Sequence, residues 1–278
     1  MAAANLTSGN YQTYSPDNEN HSNAEGAGAR ILKALKPDIV LIQEFTTTIP
    51  VRQWVNQTLG AEYSIVQEEG EGIPNGILSR FPIIDSGEWD DPALENRDFV
   101  WAKIALPGGV KLWVVSVHLY SKKSRIRAAQ AMDLVRYLKE RVQPGEHVAI
   151  GGDFNTRDLE EECLRKMASV VTVPPLLPSD GFGNINTNAP RNCPYDWVLV
   201  DEVLQKQEVP VVIGGSSFEH GLVFDSRIFP ILSNVSPVQQ TDSGAPQMQH
   251  MAVVRDFLIG RPDISAVEEP EKAPVETP

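Results

Sequence analysis

Apolar and polar residues recur along this chain with two different periods. In "AEGAGARILKALKPD", Ala27, Ile31, Ala34 and Leu35 fall at the three-to-four spacing of one helical face, and Pro37 ends the run. "DIVLIQE" is short and continuously apolar, the mark of a buried strand. "PVRQWVNQTLG" predicts a second helix, with Val51, Trp54, Val55 and Leu59 apolar and Gly60 as its stop. "EYSIVQE" and "NGILSRFPI" predict strands, and "FVWAKIALPGGVKLWVVSVHL" predicts a hairpin that turns at Pro107, Gly108 and Gly109. "SRIRAAQAMDLVRYLKERV" predicts the clearest helix, with Ala129, Met132, Val135, Leu138 and Val142 on one stripe and Pro144 and Gly145 closing it. "EHVAIGGDFN", "YDWVLVDEVL", "VPVVIGG" and "HMAVVRDFLI" supply further strands. Hairpins interleaved with helices predict an α/β chain of mixed sheets covered by helices. No internal repeat is evident. From residue 261 the character changes: "RPDISAVEEPEKAPVETP" is rich in Pro and Glu. The expectation is one domain over 1–260 and a solvated, disordered tail over 261–278.

Composition narrows the class. The chain has 278 residues, 41% of them hydrophobic and 22% charged, which suits one substantial globular core. No apolar run approaches the ~20 residues that span a bilayer, so no membrane-spanning segment is expected. "MAAANLTSGN" has no basic region followed by a long apolar one and does not read as an intact signal peptide. Secretion, with a signal already removed, and a cytoplasmic location both stay open. The net charge of −13 argues against a general polyanion binder. It leaves room for an enzyme that reaches nucleic acid through a local site, and carboxylates that hold a cation would add to the deficit. Cys163 and Cys193 form neither a metal-binding pattern nor a disulfide framework; one bridge and two thiols both remain open.

Polar residues fall at the ends of the apolar runs. "IVLIQEF" ends with Gln43 and Glu44, "VVSVHLY" with His118, and "AIGGDFN" with Asp153 and Asn155. "CPYDWVLV" opens with Asp196, and "MQHMAVV" opens with His250. Each alone has an ordinary structural explanation: a surface glutamate, a hydrogen-bonded histidine, a turn at "GDFN". Together they place carboxylates, amides and two histidines at five strand ends, where a rigid scaffold aims side chains into one cleft.

With these residues in view, the sequence resembles the endonuclease/exonuclease/phosphatase superfamily, in its deoxyribonuclease-like branch. The matching pieces, in family order, are "ANLTSGN", "LIQEF", "NGILSRFPI", "NRDFVWAKI", "SVHL", "GGDFNT", "PYDWVLV" and "QHMAVVRDF". The resemblance implies a four-layer sandwich of two mixed β-sheets flanked by helices. It implies a divalent-metal-dependent phosphodiester hydrolase, foremost a nuclease with DNA as substrate and no obligate protein partner. By the same resemblance, Asn5 and Glu44 are metal ligands, with Mg²⁺ leading, Mn²⁺ close behind and Ca²⁺ an added possibility. Hard cations of this kind take oxygen ligands and neutralise the charge that builds on the phosphoryl group.

The remaining roles come from the same comparison. Asp153 orients or deprotonates the attacking water and Asn155 contacts the phosphate, both on one side of an extended chain with Phe154 turned to the core. The preceding glycines permit close packing there. His250 pairs with Asp196, and His118 either protonates the leaving oxygen or binds the phosphate. Arg97 is an expected phosphate contact and Asn75 a weaker one, while Arg80 is expected to be structural. The basic stretch "YSKKSRIR", with Lys122, Lys123, Arg125 and Arg127, reads equally as a nucleic-acid contact or an ordinary exposed loop.

Two features depart from the family. Gln249 stands where an aspartate usually precedes the final histidine, so Asp242 is expected to loop back to the metal. Only "MAAA" precedes Asn5, so the first strand is expected to be either very short or truncated and to bury little. Two alternatives stand beside the nuclease reading. One is a phosphodiesterase or phosphatase for a small-molecule or lipid headgroup phosphate; the other is a binding protein on a decayed nuclease fold.

Overall fold

In the computed structural model the described residues are 1–7, 12–15 and 26–259. The expected tail over 261–278 lies outside them. The chain forms β1 (Ala2–Ala4), α1 (Ala27–Leu35), β2 (Ile39–Ile42), α2 (Val51–Thr58), β3 (Ser64–Gln67), β4 (Gly76–Ser79) and β5 (Ile83–Trp89). Then come β6 (Phe99–Ala105), β7 (Lys111–His118), α3 (Ser124–Arg141), β8 (His147–Asp153), α4 (Glu162–Met167), β9 (Asp196–Val200) and α5 (Glu202–Gln205). The described part ends with β10 (Glu208–Val209), β11 (Val211–Ile213), β12 (Ser216–Phe218), β13 (Leu222–Phe224), β14 (Ala252–Val254) and β15 (Asp256–Phe257).

Two mixed sheets result, one in the order β13-β14-β1-β2-β4-β3 and the other β5-β6-β7-β8-β9. Each has one parallel pair, β1 with β2 and β7 with β8, and both pairs are joined by a crossover that contains a helix, α1 or α3. Parallel neighbours cannot be linked by a tight turn, so helices end up on the outer faces. Side chains along the strands alternate between two cores. Ile39 and Leu41 of β2 meet Val100, Ala102 and Ile104 of β6 and Leu112 and Val114 of β7 between the sheets. Val40 and Ile42 face outward to a core shared with Ile31 of α1 and Trp54 of α2. Trp113, Val115 and Val117 face outward to Ala131, Leu134 and Leu138 of α3 and to α4. The four-layer sandwich is therefore as expected.

Three local expectations change. The buried face of α3 runs through Arg127, Ala128, Ala131, Leu134 and Leu138, whereas Met132 is 51% exposed. The stripe is rotated so that Ala131, Leu134 and Leu138 pack on Trp113, Val115 and Val117 of the sheet. "DEVL" is not strand: Asp201 caps Val203 N and Leu204 N and starts α5. β1 is short as expected, yet it lies between β14 and β2 with all three alanines fully buried, where small side chains admit both neighbours' cores. α4, β12 and β13 carried no clear period. Cys163 and Cys193 are both free.

Candidate active site

The ends of six strands meet on one side of the sandwich. Asn5 follows β1, and Gln43 and Glu44 follow β2. His118 ends β7, Asp153 ends β8 and Asp196 begins β9; their registers pair His118 with Asp153 and Asp153 with Asp196. His250 stands two residues before β14. The sheets come close here. A Cβ at Gly151 would lie 2.6 Å from Leu41 Cδ1, and one at Gly152 would lie 2.6 Å from Gln43 Nε2, both across from the other sheet. Gln43 Nε2 donates to Ser116 Oγ at 2.9 Å, and Ser116 Oγ donates to Ile42 O at 3.2 Å, which ties the two sheets together beneath the site.

Asp153 is the hub. Its Oδ2 lies 3.0 Å from Asn155 Nδ2, 3.1 Å from Asn5 Nδ2, 3.3 Å from His118 Nε2 and 3.6 Å from His250 Nε2. Its Oδ1 accepts from Asn155 N at 2.8 Å. Asn155 has φ 53°, so the chain has turned and is not extended. The two side chains share a side because the carboxylate captures the amide two residues on, a turn that Asp and Asn favour. Phe154 is fully buried in the outer core, as expected. His250 Nδ1 meets Asp196 Oδ2 at 2.8 Å. The same oxygen accepts from Thr187 Oγ1 at 2.6 Å. Asn5 Nδ2 also reaches Glu44 Oε1 at 3.4 Å.

The histidines differ in charge preference. Burial and the positive charges of Arg97 and His250 hold His118 well below the usual imidazole value, so it is neutral near pH 7. Burial also opposes charge on His250, but the carboxylates of Asp196 and Asp153 outweigh it and raise its pKa. Burial pushes the Asp153 carboxyl up, against the pull of His250 and the amides of Asn155 and Asn5.

The donor set suits a hard divalent cation. Asn5 Oδ1 and Asp196 Oδ1 are buried with no hydrogen-bond partner among the described residues. Asp153, Asp196 and His250 each bring one ligand atom within 4.8 Å of the others. Amide and carboxylate oxygens are what Mg²⁺ and Mn²⁺ take.

Asp242 is a correction. It is fully buried in a bidentate ion pair with Arg30 of α1, Oδ2 to Nε at 3.0 Å and Oδ1 to Nη2 at 2.6 Å, and also accepts from Gln239 N at 2.9 Å. Both oxygens are committed to the scaffold, and the loop does not return this carboxylate to the Asp153 cluster. Gln249 is exposed. Asn75 goes to Glu68 and to Asp98 O, at 3.1 and 2.8 Å, and has no bond to Asp153 or the histidines. Arg97 sits beside the site, but its Nε donates to His118 O at 2.6 Å and it is only 7% exposed. Arg80 pairs with Asp38, a structural role. The patch expected from "YSKKSRIR" loses Arg127, which is buried on Glu161, and keeps Lys122, Lys123 and Arg125 at the surface. Thr187 was not marked by its sequence context. A threonine in an Asn-rich loop carries no signal until the fold brings it to Asp196.

A family model described as "Endonuclease/Exonuclease/phosphatase family" matches residues 18–217. Among solved structures, an endonuclease/exonuclease/phosphatase from Bacteroides vulgatus is 16% identical with a TM-score of 0.59, covering 92% of this chain and 98% of that one. A humanized TDP2 of D. rerio is 19% identical with a TM-score of 0.53, covering 84% and 92%. Beta toxin of Staphylococcus aureus is 14% identical with a TM-score of 0.54, covering 92% and 99%. One curated relative, 2-(3-amino-3-carboxypropyl)histidine synthase of Pyrococcus horikoshii, is 27% identical over 179 residues. The match takes in 58% of this chain, and the chain spans 50% of that relative's length.

Proposed function

The chain belongs to the endonuclease/exonuclease/phosphatase family, a group of metal-dependent phosphodiester hydrolases, and from that premise we propose that it is a DNA endonuclease. One observation carries the reading: two histidines and two amides converge on the single oxygen Asp153 Oδ2, all within 3.6 Å. A buried carboxylate held in this way supports a role in taking up a proton from a water placed against it.

In this reading residues 1–260 form the catalytic domain. Asp153 orients the attacking water and accepts its proton. Asn155 and Asn5 hold the carboxylate in place through their Nδ2 groups, which also bond Leu119 O and Glu44 Oε1. His250, kept protonated by Asp196, donates to a phosphoryl or leaving oxygen, and Thr187 fixes Asp196 for that task. His118, held neutral, serves as a hydrogen-bond donor rather than a proton source. Glu44 and Asn5 would hold Mg²⁺ or Mn²⁺, which supplies charge neutralisation at the phosphoryl group.

A plasmid-cleavage assay tests this, with EDTA, Mg²⁺, Mn²⁺ and Ca²⁺ in separate reactions and His250→Ala as control. Metal-dependent nicking and linearisation are expected, reduced about 10²–10⁴-fold in the variant. An intact plasmid with turnover of small phosphodiesters would move the assignment to a small-molecule or lipid headgroup substrate.

A further inference from the structure

We propose that Lys122, Lys123, Arg125 and Arg157 form a rigid cationic ridge that holds the sugar–phosphate backbone of DNA beside the scissile bond. The inference rests on the phosphodiesterase reading and names what makes its substrate a polymer.

The platform is unusually fixed. Between the end of β7 and the start of α3, four consecutive carbonyls each accept a side-chain hydrogen bond. His118 O is held by Arg97 Nε at 2.6 Å and Leu119 O by Asn155 Nδ2 at 3.1 Å. Tyr120 O is held by Arg127 Nη1 and Ser121 O by Arg157 Nη2, both at 3.0 Å. Tyr120 N is tied to Gln130 Oε1 at 2.9 Å. The lysines that follow are thus presented from a set backbone, which lowers the ordering cost of binding.

The charge is local and available. Lys122, Lys123, Arg125 and Arg157 are exposed, and among the described residues no carboxylate lies within ion-pair distance of them. Elsewhere Arg30, Lys103, Arg191 and Arg255 hold carboxylates at 2.5–2.7 Å. Asp158 and Glu160 are exposed beside Arg157 and offset its charge, so in a chain of net charge −13 it is Lys122, Lys123 and Arg125, with no carboxylate among the described residues at ion-pair distance, that make the local surface positive.

The ridge also abuts the site. Its segment begins at His118 itself. Arg157, two residues beyond Asn155, lies over the Tyr195 ring at 4.7 Å, and that ring lies 5.6 Å from the His250 ring. A small diester has no further phosphates for these cations, whereas a DNA strand has one at every nucleotide. No large apolar side chain is exposed between Tyr120 and Arg127, and Leu159, 42% exposed two residues beyond Arg157, is a single apolar side chain against a cluster of cations, which favours a polyanion over a bilayer.

The test compares wild type with Lys122→Gln/Lys123→Gln/Arg125→Gln, and with Lys139→Gln/Arg141→Gln as a charge control at the far end of α3. Anisotropy of a labelled DNA duplex in EDTA is read against KCl concentration. The triple variant should lower the slope of log Kd against log [KCl] by about 2–3, which is about 40-fold less weakening between 50 and 200 mM. Its ratio of DNA to bis(4-nitrophenyl) phosphate turnover should fall at least about 10-fold. An unchanged slope in the triple variant, or an equal change in the control, would overturn the ridge. So would loss of binding to phosphatidylserine vesicles with DNA binding intact, which would reassign the surface to membrane. If wild type cleaves neither substrate, the catalytic reading fails while the anisotropy still decides the ridge.

Discussion

Asp242→Asn separates the scaffold from the site. Asp242 and Arg30 are 0% and 1% exposed and share two hydrogen bonds of 3.0 and 2.6 Å. The substitution keeps the shape and the acceptor for Gln239 N, but leaves the buried Arg30 guanidinium without that carboxylate charge. Removing one partner of a buried pair costs about 3–5 kcal/mol, a large part of the about 5–15 kcal/mol that holds a domain folded. At this chain length each kcal/mol lowers Tm by about 2–4 °C, so the expected drop is about 6–20 °C. Calorimetry reads that drop. A titration of activity against Mn²⁺ below the melting range should give an activation midpoint within about twofold of wild type, because Asp242 faces α1 and not the Asp153 cluster. A Tm within about 1 °C of wild type, together with a midpoint raised tenfold, would refute this and return Asp242 to the metal.

Other consequences follow from the same geometry. Glu44→Gln should raise the metal concentration needed for half-maximal activity with little loss of Tm; an unchanged midpoint would remove Glu44 from the ligand set. Asp196→Asn deletes the largest support for charge on His250, so the alkaline limb of the kcat/KM profile should move to lower pH; a limb that stays in place would exclude His250 as the group titrating there. The sign follows from His250 acting as a protonated donor whose pKa its neighbours raise. Gly152→Ala should destabilise by about 2–6 kcal/mol, since φ is +136° and a Cβ would meet Val117 O at 2.1 Å. A folded variant with a near wild-type melting curve would show that the β7–β8 pairing yields more easily than this packing implies.

Much of this molecule was legible in the sequence. Period alone marked α1, α2, α3 and most strands, because amphipathic faces repeat at the spacing of the backbone that buries them. Polar residues at the ends of apolar runs marked Glu44, His118, Asp153, Asp196 and His250, since a buried strand has no local use for a carboxylate or an imidazole. What failed were inferences about residues whose partners are distant in sequence. Asp242 reads as a spare ligand until Arg30, 212 residues earlier, is seen to hold it. Thr187 reads as loop until it meets Asp196. Arg127 reads as one cation of four until Glu161 draws it inward.

The face of α3 shows the same division. A helix's apolar residues can be counted from sequence, but rotation about its axis is set by the shape it packs on, and here Ala128 and Ala131 are buried while Met132 is exposed. The side on which Asn155 stands was likewise decided by a carboxylate–amide turn and not by strand alternation. The chain by itself determined α1, α2, α3, most of the strands and which residue types end them. Only the tertiary structure decided which charges meet, because ion pairs and hydrogen bonds depend on distances of a few ångström that no sequence spacing records.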